Sequence, residues 1–223
     1  MILTVTIDTV APAPWSLSAF FKSLSVMFGG DVEPLDEDAV LRLVELARAG
    51  DRVARQRLYR QHVARVFRTV RGTLRSDAEA EDVTQDAMLT ALTSLHRYSP
   101  RSGTRFAAWL TTIAVNTMHR RFRRKRPELT VTGELPEVPG PDTDVGDDID
   151  RAKQRSALLR ALAELEPRER EVVSLRYGAE LNAAEIAAEL RLTPENVRKI
   201  LERARVRLGA RIEALLQSGG VPS

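Results

Sequence analysis

Three stretches of the sequence hold residue types at spacings that could do chemistry. The densest is Arg120-Arg-Phe-Arg-Arg-Lys-Arg126, six cations in seven residues, closing a helical pattern that opens Phe106-Ala-Ala-Trp-Leu-Thr-Thr-Ile-Ala-Val-Asn116. Plotted at helical periodicity, Ala107, Leu110, Ala114, Met118 and Phe122 share one side, and Trp109, Thr112, Asn116, Arg120 and Arg123 share the other. An indole to stack, an amide for base edges and guanidiniums for phosphate make a surface for single-stranded DNA. The same pattern equally describes a core tryptophan followed by a solvated basic helix end, which the helix dipole favours.

The second stretch is Asn182-Ala-Ala-Glu-Ile-Ala-Ala-Glu-Leu190, then Arg191-Leu192, then Thr193-Pro-Glu-Asn-Val-Arg-Lys-Ile-Leu-Glu-Arg-Ala-Arg205. A small-residue helix, a tight turn and a capped second helix place Val197, Ile200, Leu201 and Ala204 inward. Glu195, Asn196, Arg198, Lys199, Glu202 and Arg203 project outward. Residues 191–211 carry seven basic and two acidic side chains. That combination suits a helix-turn-helix whose second helix enters the major groove. There, Arg and Lys read guanine edges and Asn pairs with adenine. Arg205, Arg207 and Arg211 lie where a straight helix leaves the groove, placed to grip phosphate. The plainer reading is a helical hairpin with a solvated basic face.

The third stretch is Ala78-Glu-Ala-Glu-Asp-Val-Thr-Gln-Asp-Ala-Met-Leu89. Ala80, Val83, Ala87 and Ala91 fall inward. Asp82, Gln85, Asp86 and Leu89, at i, i+3, i+4 and i+7, form a separate acidic, amide and apolar stripe suited to a protein partner. On physical grounds alone it is equally an ordinary exposed face.

The elements that position these stretches are helical almost throughout. Asp36 caps a helix ending at Ala49 with Gly50 as its stop; a second runs to about Gly72, a third from Asp77 to about Leu95, and a fourth from about Thr104. Further starts stand at Pro167, Asn182 and Thr193-Pro194. The expected fold class is all-α, with two helical domains (36–126 and 151–217), the second a helix-turn-helix. Between them, residues 127–150 hold eight acidic residues, four prolines, three glycines and no Lys or Arg, which reads as an extended, self-repelling linker. Asp142-x-Asp144-x-Gly146 resembles the start of a calcium loop, but its twelfth position is Lys153, not glutamate. Residues 1–35 form an extension of unassigned role. It opens with strand-like alternation, breaks at Pro12 and Pro14, and then carries an apolar stripe of Leu17, Phe20, Phe21, Leu24 and Phe28. With Lys22 its one basic residue, this stripe is expected to dock on protein or stay mobile; a start at Met27 would remove most of it.

Composition sets the outer bounds. The 223 residues, 43% hydrophobic and 29% charged, suit a globular chain of one or two domains. The net charge is only +3, so the charges matter through their segregation. Without cysteine, disulfide frameworks, thiolate metal sites and cysteine nucleophiles are excluded. The three histidines, His62, His96 and His119, are far apart. No run approaches the ~18–20 apolar residues of a membrane span, and the opening, whose first charge is Asp8, lacks the form of a secretory signal. The expected compartment is the cytoplasm, with no membrane insertion.

Taken in order, Ala80-Glu-Asp-Val-Thr-Gln-Asp86, Phe106 through Asn116, Leu162-Ala-Glu-Leu-Glu-Pro-Arg-Glu-Arg-Glu-Val-Val173, and Glu185-Ile-Ala with Val197-Arg-Lys-Ile-Leu-Glu-Arg-Ala-Arg205 carry a resemblance. Over roughly residues 36–215 the sequence resembles the extracytoplasmic-function group of bacterial RNA polymerase sigma factors. The resemblance implies a promoter-specificity subunit with no active site, cofactor or metal. It implies that Asp82, Gln85, Asp86 and Leu89 dock on the clamp helices of the polymerase's largest subunit. It also implies that Arg101, Arg105, Trp109, Asn116, Arg120 and Arg123 open the minus-ten element and hold a flipped base. The last helix would read the minus-thirty-five element in duplex DNA and touch the flap of the second-largest subunit. An anti-sigma factor is an implied partner. Met88 stands where the family usually has phenylalanine, and the Thr193-Pro-Glu-Asn start departs from its commoner small-residue start. Two other classes fit less of the chain. A stand-alone helix-turn-helix regulator explains residues 182–211 but not the Asn116 helix. A nuclease built on Asp82, Asp86 and His119 would need convergent carboxylates beside a scissile phosphate.

Overall fold

The computed structural model describes residues 34–100, 104–125 and 147–218. Arg101, residues 1–33 of the N-terminal extension and most of the acidic linker therefore lie outside the described residues. Every regular element among those described is helical. Four helices form a first group: α1 (Glu37–Arg48), α2 (Arg52–Thr73), α3 (Asp77–Thr93) and α4 (Phe106–Lys125), with a 3-10 turn at Leu95–Arg97. A second group follows: α5 (Asp147–Glu164), α6 (Pro167–Val173), a π-turn at Ser174–Gly178, α7 (Ala183–Leu190) and α8 (Pro194–Ser218).

Local chemistry sets most boundaries. The Asp36 carboxylate accepts the Ala39 N–H at 2.6 Å, and Asp51 accepts those of Val53 and Ala54. Each satisfies backbone donors that a helix start leaves unpaired. Gly50, between α1 and α2, sits at φ +98°, where a side chain would be strained. Asn182 and Glu185 form a reciprocal capping box at the start of α7. That helix stops at Arg191, in left-handed backbone. The Thr193 hydroxyl accepts the Asn196 N–H, with Pro194 opening α8.

The linker reading is corrected at one end. α5 begins at Asp147, so the last four residues of the stretch read as linker are helical. Acidic residues repel one another along an open chain, but near a helix N-terminus the same residue types meet the positive end of the dipole.

The two groups pack against each other. Val40, Val44, Leu58, Phe67, Val83 and Leu110 of the first share one buried apolar core with Leu158, Leu162, Val173, Leu208 and Ile212 of the second. Val115 of α4 instead joins Val172, Leu175, Leu181, Ile186 and Val197. Arginines tie the seams. Arg48 donates to the Leu95 and Tyr98 carbonyls, holding the turn before α4. Arg170 donates to those of Ala163, Leu165 and Thr73, joining α5 and α6 to α2.

Candidate nucleic-acid interface

α4 shows both expected faces. Ala107, Leu110, Ala114 and Met118 are buried, while Asn116, Arg120 and Arg123 are exposed. Trp109 is half-buried between Tyr98 and Phe106, with ring centroids 5.4 and 5.5 Å away. Arg105, just before the helix, is exposed but engaged. Its guanidinium donates to both oxygens of Glu185, at 2.8 Å each from Nη2, and through Nε at 3.0 Å. Thr112 donates to Glu189. His119 Nε2 lies 2.9 Å from Glu171.

α8 likewise divides as its periodicity predicts. Val197 and Ala204 are fully buried, whereas Glu195, Asn196, Arg198, Lys199, Glu202 and Arg203 face outward. Lys199 pairs with Glu195 at 2.8 Å. An open groove of about 590 Å³ lies along this face, lined by Leu192, Asn196, Lys199, Ile200, Glu202 and Arg203. Arg205 is exposed, but Arg207 bonds at 2.9 Å to Glu169, whose side chain is only 9% exposed. Arg211 pairs with Glu164, whose carboxylate raises the guanidinium's pKa by hydrogen bonding.

On α3, Asp82, Gln85, Asp86 and Leu89 are all exposed, and Ala80, Val83, Ala87 and Ala91 are buried. Arg121 of α4 reaches both carboxylates, at 2.6 Å to Asp82 and 3.3 Å to Asp86. His119 is committed to Glu171, so the three residues considered for a nuclease do not converge. Among the described residues no cluster of His, Asp and Glu could hold a metal, and no helix is long and apolar enough to cross a membrane.

Comparison with known proteins matches two stretches of the chain. Residues 58–128 match the family model for Sigma-70 region 2, and residues 161–209 match Sigma-70 region 4. The chain is 33% identical over 200 residues to the ECF RNA polymerase sigma factor SigM of Mycobacterium tuberculosis, covering 87% of this chain and 93% of SigM. The chain belongs to the extracytoplasmic-function sigma factors. It is also 35% identical over 153 residues to the ECF RNA polymerase sigma factor BldN of Streptomyces coelicolor, covering 68% of this chain but 58% of BldN. Among solved structures it is similar to CnrH in complex with the cytosolic domain of CnrY. That match has a TM-score of 0.55 at 26% identity, covering 80% of this chain and 99% of that one. A sigma factor is not an enzyme; it binds core RNA polymerase and directs it to promoters.

Four carboxylates of this sigma factor, Glu171, Glu180, Glu185 and Glu189, have partners that the sequence does not assign them. All four engage region 2. Glu180 bonds Arg65 at 2.9 Å and Arg68 at 3.2 Å. Their one signal in sequence was an acidic pair one turn apart, Glu185 and Glu189, inside an otherwise apolar helix.

Arg207 yields a stability prediction. Glu169 is 7% exposed, so removing its partner leaves a carboxylate with little access to water. Arg207→Ala is expected to lower unfolding free energy by about 1–3 kcal/mol, measured by urea denaturation. Arg205→Ala, at an exposed position, should change it by less than about 0.5 kcal/mol.

Proposed function

We propose that this sigma factor divides promoter recognition among three surfaces. The α3 stripe Asp82, Gln85, Asp86 and Leu89 docks on the clamp helices of the polymerase's largest subunit. Arg101, Arg105, Trp109, Asn116, Arg120 and Arg123 engage the opened minus-ten strand. In the α7–α8 helix-turn-helix, Glu195, Asn196, Arg198, Lys199, Glu202 and Arg203 face the minus-thirty-five bases, and Arg205 and Arg207 grip phosphate. Region 4 also meets the flap of the second-largest subunit.

The observation that supports this reading most is the face of α4. An exposed amide at Asn116 continues into exposed Arg120 and Arg123, beside a tryptophan seated in an aromatic cluster. A flipped base needs an edge-reading group and a stacking surface to offset an unstacking cost of a few kcal/mol. An amide that pairs with a base edge contributes about 1–3 kcal/mol.

Asn116→Ala is therefore expected to slow open-complex formation by about tenfold or more while leaving core binding intact. The holoenzyme is assembled on a promoter mapped from transcripts that depend on this chain, and permanganate reactivity of unpaired thymines follows opening. Unchanged opening would remove Asn116 from the site. In the helix-turn-helix, Arg198→Ala and Arg203→Ala should each relax preference at particular minus-thirty-five positions, read by base-substitution scans.

The reading includes an anti-sigma partner acting in the cytoplasm. Its support is CnrH, a similar protein whose structure was solved with a partner domain, that of CnrY.

A further inference from the structure

We propose that Arg191, in the turn between α7 and α8, is a ligand of the DNA backbone. Its guanidinium grips a phosphate at the edge of the minus-thirty-five major groove, and the chain keeps an arginine in strained backbone for that contact. This inference rests on the assignment of the α7–α8 helix-turn-helix to duplex DNA.

The backbone at Arg191 is left-handed, at φ 54° and ψ 48°. A Cβ crowds the following carbonyl oxygen there, so helices that end this way usually place glycine or asparagine at that position. The chain uses that solution elsewhere: after α1 the left-handed residue is Gly50. Besides Arg191, Glu180 is the one residue other than glycine with positive φ among those described. Its carboxylate is engaged by Arg65 and Arg68, at 2.9 and 3.2 Å. Strain at Glu180 thus comes with a partner inside the chain. The Arg191 side chain is exposed, and among the described residues it has no hydrogen bond or ion pair. A strained residue that persists with nothing to hold points to a group outside the chain.

The cap itself does not need arginine. Its contribution is the backbone N–H of residue 191, bonded to the Ala187 carbonyl, which any residue but proline supplies. Nor is a cation missing at the C-terminal end of α7, where one complements the helix dipole. Arg168 already donates to the Leu190 carbonyl there, at 2.5 Å. Position supplies the target. Arg191 directly precedes Leu192, which lines the groove along the outward face of α8 with Asn196, Lys199 and Arg203. A recognition helix enters the major groove by its N-terminal residues, so the turn just before it passes beside the phosphates. A planar guanidinium takes phosphate oxygens through two parallel N–H donors. Such a contact strengthens binding to every sequence and reads none.

Arg191→Gly relieves the backbone and removes the cation in one change, so stability and DNA binding should move in opposite directions. Urea unfolding of the full chain is expected to show the folding equilibrium raised by about two- to fivefold. Binding of the holoenzyme is measured on a duplex from a promoter that depends on this chain. The duplex carries the minus-thirty-five element and ends upstream of the minus-ten element, so opening does not enter. One phosphate contact fewer releases one counterion fewer, which at about 0.15 M salt weakens binding by about fivefold. That loss should be equal across base-substituted duplexes, and the slope of log affinity against log salt should become shallower by about 1. Arg191→Lys keeps the charge and should keep most of the affinity and slope. Parent-like affinity and slope in Arg191→Gly overturn the proposal, as does a loss confined to particular base pairs. Unraised stability overturns its strain. Weaker binding to core polymerase, with DNA binding by the saturated holoenzyme unchanged, makes Arg191 a protein contact and overturns it too. Arg198→Ala and Arg203→Ala run in parallel. If they alter base preference while Arg191→Gly leaves binding unmoved, the phosphate contact alone fails; if none of the three changes binding, the helix-turn-helix assignment fails with it.

Discussion

Replacing Asp82 and Asp86 together by lysine is expected to weaken binding to core RNA polymerase by about a hundredfold, with little loss of stability. The two carboxylates stand one turn apart on α3, with side chains 57% and 60% exposed. Their ion pairs with Arg121 are thus surface pairs, worth about 0–1 kcal/mol. Reversal removes those pairs and sets two lysines against Arg121, a modest cost to the fold. Against a basic partner surface the same change converts attraction into like-charge contact, which costs several kcal/mol, at about 1.4 kcal/mol per tenfold. Arg121→Ala provides the opposite sign. It frees both carboxylates for the partner and should leave core affinity equal or slightly tighter. Equilibrium binding of labelled chain to core polymerase, paired with thermal melts, separates the two effects. Parent-like affinity in the double lysine variant would move the docking surface elsewhere on the chain.

What the sequence made legible was local. Asp36, Asn182 and Thr193-Pro194 start helices through bonds to backbone within three residues, so local sequence alone carries them. The faces of α4 were legible for the same reason: Leu110 and Met118 are apolar at helical spacing from Ala114, and all three are buried. Periodicity says which face is covered, however, and not by what. Val115 read as neither face, because its cover comes from Val172 and Leu175, more than fifty positions away. Glu185 reaches Arg105 across 80 positions, a pairing with no local trace. The π-turn at Ser174–Gly178 was equally hidden: its glycine answers to the backbone of α2. The bond from Arg207 to Glu169 is hidden in the same way, because Glu169 sits on another helix.

Acidification should destabilise the chain through one buried imidazole. His62 of α2 is 6% exposed, and its ring packs 5.0 Å from that of Phe106 at the first residue of α4. Neither ring nitrogen has a hydrogen-bond partner among the described residues. Burial above all, and then the neighbouring charge of Arg65, hold its pKa down from 6.5 to about 3. The folded state therefore refuses a proton that the unfolded chain accepts. The sign follows directly. Above about pH 6.5 the imidazole is neutral in both states and stability is undiminished; as pH falls from there toward 3, the unfolded state gains protons first and stability drains away. At about 1.36 kcal/mol per pH unit, a fall to about pH 5 removes about 2 kcal/mol, a large share of a typical 5–15 kcal/mol. His62→Leu keeps an apolar group of similar size at the site and has nothing to titrate. Urea unfolding at about pH 7, 6 and 5 should show the parent chain losing about 2 kcal/mol more than the leucine variant across that range. Parallel losses would mean that the imidazole reaches water or a partner in solution. Because His62 lies under the first turn of α4, its charging would loosen that end of the helix first. Hydrogen exchange near Phe106 should then rise before the rest of α4 responds.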